Sequence, residues 1–272
     1  MNKEKIKCLK EISDKGLLKI LAVDHRGSME RLIKSKDRTK ISKIKKKIVS
    51  VLSPYSSATL LDPVYGKKAF EDVSGGLLIS REKTGYTENG NGRKTELLEN
   101  LSIKKIKEMG ASTVKLLIYY NPKKRVRKHQ EKLVKKVAEK CEENNIPFLC
   151  EVLLYSIKDD RNNILIDSAK KISKLGIDIL KTEAPNSFED CKKLNEEVNV
   201  PWVVLSGGIS YQEFKVRVRE ACKAGASGYA GGRGIWKECV KENGIEECLV
   251  NKSVPRIEEL NKIVEKYGQP SI

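Results

Sequence analysis

The segment from Asp178 to Pro185, with Ile179, Leu180, Lys181, Thr182, Glu183 and Ala184 between them, puts a lysine inside an apolar run with the composition of a buried strand. A charged amine there must be paired or must give up its proton. A strand over roughly 177–184 has a period of two, which sets Ile179, Lys181 and Glu183 on one face and Leu180 and Thr182 on the other. A second lysine, Lys115, interrupts the β-branched and aromatic run from Thr113 to Tyr120, and Glu151 sits midway along Phe148 to Tyr155. A lysine beside another lysine, both partly desolvated, loses its proton more readily and becomes a nucleophile toward carbonyl carbon. Lys181 is therefore the Schiff-base candidate, Lys115 its cationic neighbour, and Glu151 the acid and base for the proton transfers. Glu183, at its strand's end, competes for that last role. One lysine stem on a strand edge can carry its head out to water; several ionisable residues on neighbouring strands are not accounted for in that way.

The elements that must position these residues are eight apolar runs: Leu17 to Val23, Ala58 to Leu61, Gly76 to Ser80, Thr113 to Tyr120, Phe148 to Tyr155, Ile177 to Ala184, Pro201 to Leu205 and Ala226 to Ala230. Between most of them lie helical patterns, over Ile33 to Leu52 (with a basic outer face), Leu97 to Met109, Arg125 to Glu143, Ile164 to Leu175, a stretch capped by Asn186-Ser187, Tyr211 to Ala224 and Val254 to Tyr267. The helix after the second strand is short or missing, and Gly85 to Arg93 has the composition of a polar, mobile loop. Strands separated by helices pair in parallel through right-handed crossovers, and eight such units predict an α/β fold, a single (β/α)₈ barrel over residues 1–272. Working residues of that fold lie at the carboxy ends of strands. Asp24 and Asp62 fall there, at the ends of the first and second strands. The loops after strands 7 and 8 hold Ser206, Gly207 and Gly208, then Gly231, Gly232 and Arg233, where backbone N–H groups and a helix start suit a phosphate.

Length and composition agree with one barrel, which takes about 250 residues. The net charge of +17 raises the possibility of nucleic acid, but aromatics are only 6% and no recognised binding motif breaks the barrel pattern, so that reading is remote. No apolar stretch approaches the roughly 18 residues of a membrane span and the first ten residues lack an apolar signal core, so no membrane partner and a cytoplasmic location are expected. Seven cysteines without a CxxC pair predict reduced, mostly structural thiols. With only His25 and His129, a zinc site built on several histidines cannot be made, and neither a metal nor a cofactor is expected.

Several stretches together resemble the class I aldolases of the tagatose 1,6-bisphosphate aldolase type, a group that includes 6-deoxy-6-sulfofructose-1-phosphate aldolases. They are Ala22 to Ser28 (AVDHRGS), Leu60 to Gly66 (LLDPVYG), Glu82 to Tyr86 (EKTGY), Val114 to Tyr120 (VKLLIYY), Pro147 to Glu151 (PFLCE), Leu180 to Glu183 (LKTE), Leu205 to Gly208 (LSGG) and Gly231 to Trp236 (GGRGIW). The resemblance spans about residues 17–236; singly each motif is weak, together they are specific. It implies a barrel in which Lys181 forms the Schiff base, Glu151 shuttles protons, and Asp24 and Lys115 are supporting polar residues. It further implies a sugar-phosphate substrate cleaved to dihydroxyacetone phosphate and an aldehyde, with a sulfonated ketose phosphate as the alternative, and a homo-oligomer. Arg26 or Lys83 is expected to meet a second anion on the aldehyde half.

Overall fold

The computed structural model describes residues 2–241 and 243–271. Among them run ten strands: β1 (Leu18–Ala22), β2 (Ala58–Leu61), β3 (Gly76–Ser80), β4 (Thr87–Asn89), β5 (Gly92–Lys94), β6 (Thr113–Tyr120), β7 (Phe148–Leu154), β8 (Ile179–Thr182), β9 (Trp202–Leu205) and β10 (Gly228–Gly231). β4 and β5 form a small antiparallel hairpin, and the other eight close into a parallel barrel in the order β1, β10, β9, β8, β7, β6, β3, β2. This is the expected (β/α)₈ barrel.

Helices α1 (Lys3–Glu11), α2 (Gly27–Ile33), α3 (Arg38–Leu52), α4 (Ile103–Glu108), α5 (Arg127–Glu143) and α6 (Arg161–Ser173) lie outside the strands. They are followed by α7 (Phe188–Glu197), α8 (Tyr211–Lys223), α9 (Arg233–Trp236), α10 (Ile245–Cys248) and α11 (Val254–Tyr267). No helix of the described residues is long and apolar enough to cross a membrane.

The period of two sorts each strand into an inner and an outer face. Leu18, Ile20, Leu60, Leu78, Leu149, Ile179 and Val203 meet inside the barrel, while Leu21, Leu61, Ile79, Val152, Leu180 and Val204 face the helices in the larger outer core. Leu9 of α1 and Ile12 just after it join the inner group, so the amino-terminal helix plugs the end where the strands begin. The lower barrel is thus dry and apolar. Ionisable side chains on inner positions are left to the opposite mouth.

Four expectations change. The helix predicted over Ile33 to Leu52 is two helices, because Lys34 adopts a left-handed conformation (φ 51°) and Asp37 starts a new helix by accepting the N–H groups of Thr39 and Lys40. Its basic face is not all outward either: Lys45 is fully buried. The segment Leu97 to Met109 keeps only the short α4, and the loop Gly85 to Arg93 is largely the β4–β5 hairpin. Cys239 and Cys248 are joined by a disulfide, their Cα atoms 5.3 Å apart, whereas Cys8, Cys141, Cys150, Cys191 and Cys222 are free. The two cysteines stand nine positions apart, one in the turn Cys239–Lys241 and the other at the end of α10, and the spacing alone does not reveal that they meet. The helix expected to be short or missing after β2 is a 3₁₀ stretch, Lys67–Asp72.

Candidate active site

Parallel pairing of β7 with β8 sets Glu151 directly opposite Lys181, both turned into the barrel mouth. Lys181 Nζ lies 3.0 Å from Glu151 Oε2, and the lysine is 3% exposed. Lys115 stands one layer deeper on β6, opposite Leu149, and its four-carbon stem rises to the same level. Its ammonium is 3.0 Å from Glu151 Oε2, 2.7 Å from Asp24 Oδ2 and 2.6 Å from Glu82 Oε1. Burying a lone ammonium costs several kcal/mol after relaxation; three carboxylates around one nitrogen offset it.

The charges follow from that geometry. Burial opposes the charge of Lys115, but Asp24, Glu151 and Glu82 outweigh it and hold its pKa well above the ordinary value. Burial would raise the Asp24 and Glu151 carboxyls, yet Lys115 and Lys181 overcome it and lower both. The expected pair of lysines is therefore present, with a difference: Lys115 is a fixed cation enclosed by carboxylates, and Glu151 is a carboxylate shared between the two amines. An amine within hydrogen-bond reach of an ionised carboxylate, in a site largely closed to water, can exchange protons with it and attack a bound carbonyl.

His25, next to Asp24, packs edge-on against Trp236, with ring centres 5.3 Å apart. Burial, with Arg233, Lys45 and Lys181 nearby and Asp24 opposing them, lowers its pKa to about 3, so the ring is neutral. A side chain on Gly232 would place its Cβ 2.7 Å from His25 Cε1, which explains a glycine at that position. Gly208, at φ 88°, takes a left-handed turn that a side chain would strain, and the Arg233 guanidinium lies 3.3 Å from where its Cβ would be. Arg233 Nε is buried without a hydrogen-bond partner among the described residues. A half-buried guanidinium with an unpartnered Nε beside two glycine turns is an anion-binding arrangement.

A cavity of about 230 Å³ brings Lys181, Glu151, Ser206, Gly207, Gly232 and Arg233 together with Arg93, Tyr119, Tyr155 and Glu183. It adjoins a second, of about 640 Å³, lined by Asp24, Arg26, Lys83, Lys115, Lys181 and Arg233 among others. Gly208 faces an outer groove that also includes Arg233, and Gly231 ends β10 packed against Ile235 and the Tyr229 ring. Arg26 is buried and donates to the Glu82 carbonyl oxygen. Glu183 pairs with Arg161 instead of the lysines. Asp62 is not at the mouth either: it pairs with buried Lys45 and accepts the Val64 and Tyr65 N–H groups, a structural role.

Glu82, which helps enclose Lys115, was not among the expected site residues, although an acidic residue just past the third barrel strand is a signal of the same kind as Asp24. Arg93, Tyr119 and Tyr155 also line the cavity, and nothing in a polar loop or an apolar strand marks them out.

The DeoC/LacD family aldolase profile matches residues 18–238. Tagatose 1,6-diphosphate aldolase of Streptococcus agalactiae is 31% identical over 98% of this chain and 97% of that protein. The enzyme of the same name from Lactococcus lactis is also 31% identical, over 99% of this chain and 98% of that one. Among solved structures, an archaeal fructose 1,6-bisphosphate aldolase superposes with a TM-score of 0.73 at 17% identity, covering 97% of this chain and 99% of the other. A Schiff-base-forming fructose-1,6-bisphosphate aldolase gives 0.69 at 16%, covering 96% and 99%. At those identities the superpositions speak for the barrel, and the sequence matches speak for the family: the chain belongs to the DeoC/LacD family of aldolases, which are carbon–carbon lyases.

Proposed function

We propose that the enzyme cleaves a phosphorylated ketose of the tagatose 1,6-bisphosphate kind to dihydroxyacetone phosphate and an aldehyde, through a Schiff base on Lys181. The observation that carries this is the pairing of Lys181 Nζ with Glu151 Oε2 at 3.0 Å in a cavity whose far wall is the Ser206–Gly207 and Gly232–Arg233 loops. The relatives' names support the substrate class.

In this reading Glu151 takes a proton from the Lys181 ammonium, and the free amine attacks C2 of the ketose. Glu151 returns its proton to the carbinolamine hydroxyl, water leaves, and an iminium remains beside a carboxylate. Glu151 then accepts the C4 hydroxyl proton as the C3–C4 bond breaks; the bonding electrons pass into the iminium, giving a neutral enamine and the free aldehyde. The carboxylate gains its proton in the step that neutralises the nitrogen, so no net charge is created in the low-dielectric mouth. Protonation of the enamine at C3 and addition of one water, equal to the one released, frees dihydroxyacetone phosphate.

Lys115 and Asp24 support the cycle by keeping a cation beside Glu151 throughout. Ser206, Gly207, Gly232 and Arg233, with Gly231 leading into the second turn, hold the C1 phosphate, and Gly208 shapes the first turn from the outer side. A cytoplasmic location and a homo-oligomeric state belong to this reading on the family likeness alone. Borohydride reduction in the presence of dihydroxyacetone phosphate should attach the reduced triose to Lys181, and Lys181→Ala should abolish the adduct. Peptide mapping that finds the label on another lysine would refute the assignment.

A further inference from the structure

We propose that Arg93 binds the anionic end of the substrate opposite the C1 phosphate and is the residue that makes the enzyme prefer an aldehyde half bearing a tetrahedral oxyanion. The inference rests on the Schiff-base reading above and adds a residue to it. Its guanidinium lies 4.4 Å from the Tyr86 ring centre, 4.8 Å from that of Tyr155 and 6.0 Å from that of Tyr119. Stacking on tyrosine faces fixes the plane of the fork before a ligand arrives, so less side-chain freedom is lost on binding.

The support beneath it is built in. The Arg93 N–H donates to the Tyr155 hydroxyl at 2.8 Å, and fully buried Gln130 donates to the Arg93 carbonyl oxygen at 3.1 Å while also bonding to Thr95 and Tyr119. Its one carboxylate partner, Glu88 on the neighbouring strand, engages only Nε, at 3.2 and 3.3 Å. The two terminal NH₂ groups have no hydrogen-bond partner among the described residues. Arg93 nevertheless lines the same cavity as Lys181 and Glu151. Arg26, by contrast, already donates to the Glu82 carbonyl oxygen.

The order of strands turns this into a direction. The glycine loops follow β9 and β10, Lys181 is on β8, Glu151 is on β7, and Tyr119 and Tyr155, which hold Arg93, lie at the ends of β6 and β7. A ketose laid across that arc with its C1 phosphate on the loops has C2 at Lys181 and the C4 hydroxyl at Glu151. Its remaining carbons run toward Arg93. A phosphate or a sulfonate at C6 offers the paired oxygens that a guanidinium fork accepts.

The test is aldol condensation of dihydroxyacetone phosphate with glyceraldehyde 3-phosphate, with its sulfonate analogue and with uncharged glyceraldehyde, on wild type and Arg93→Gln. The ratio of kcat/KM for an anionic aldehyde to that for glyceraldehyde should fall roughly 10- to 100-fold in the variant, the size of a lost charge-assisted contact. Because both rates come from the same protein, partial misfolding cancels. A fall with the phosphate only or the sulfonate only supports the assignment and names the anion; a ratio unchanged for both overturns it. Borohydride trapping of dihydroxyacetone phosphate, which carries no second anion, separates the two levels. If wild-type protein takes no adduct, the Schiff-base reading fails and this inference falls with it; if the adduct forms and the ratio does not move, Arg93 alone is ruled out.

Discussion

A single ammonium, Lys115, meets three carboxylates within 3.0 Å, and one of them also contacts Lys181. Such a cluster has a stake in both stability and chemistry, since removing the central cation leaves Asp24, Glu82 and Glu151 confronting one another in a low-dielectric mouth. Breaking a buried ion pair from one side costs about 3–5 kcal/mol, and Lys115→Met should lose that much in urea unfolding. The same change removes the foremost of the two cations that overcome burial and lower the Glu151 carboxyl. A group that must be ionised to act then demands a higher pH, so the acid limb of the kcat profile should move upward by at least about one pH unit. An acid limb that stays in place while stability drops would confine Lys115 to a structural role. Lys181, Lys115 and Glu151 were legible in the sequence because each is a lone charge in an apolar strand, where burial makes charge conspicuous. Glu82 and Arg93 sit in segments already polar, where one more charge carries no such signal.

Elements matter next, because α3 is fastened to the barrel by a charge on its inner face. Lys45 donates to Asp62 and, at 2.5 Å, to the Val23 carbonyl oxygen, so one buried amine links the helix to the ends of β1 and β2. Asp62 Oδ1 separately accepts two N–H groups of the following turn, a task an asparagine oxygen also performs. Lys45→Met should therefore destabilise strongly, by about 3–5 kcal/mol, and adding Asp62→Asn should recover part of the loss. A double-mutant cycle from denaturant curves is expected to show a coupling of about 1–3 kcal/mol; additive losses would mean the pair is not a unit. The eight barrel strands were readable from short apolar runs ended by polar, charged or turn-forming residues, and each lies within two residues of its predicted bounds. The break between α2 and α3 was not, since a lysine at φ 51° has no signature in residue type. Nor was the β4–β5 hairpin: buried Gln130 and the Tyr155 hydroxyl fix it from distant parts of the chain, and its own residues do not alternate. The disulfide eluded the cysteine spacing for a similar reason, because sequence separation does not encode the 5.3 Å between its Cα atoms.

For the whole molecule, the net charge of +17 at pH 7 means that acid only adds to an existing excess of positive charge. The mouth of the barrel sets where that begins to matter. His25 has a folded-state pKa of about 3, below the ordinary value of about 6.5, so between those values the unfolded chain binds a proton that the folded one refuses. Stability from this group is complete above about pH 6.5 and is lost as pH falls from there. Asp24 and Glu151, with lowered values, contribute stability that is complete above the ordinary carboxylate range and is lost only as pH falls through it, below about 5. The melting temperature should thus decline in two stages, a shallow one starting near pH 6.5 and a steeper one below about 5. His25→Gln, which has nothing to titrate, should flatten the first stage and keep the second, while His129, unchanged in both proteins, cancels in the comparison. Melting curves of the two proteins that run parallel from pH 7 to pH 5 would mean that His25 takes its proton in the folded state as readily as in the unfolded one, and the packing of its ring between Trp236 and Gly232 would not be what keeps it neutral.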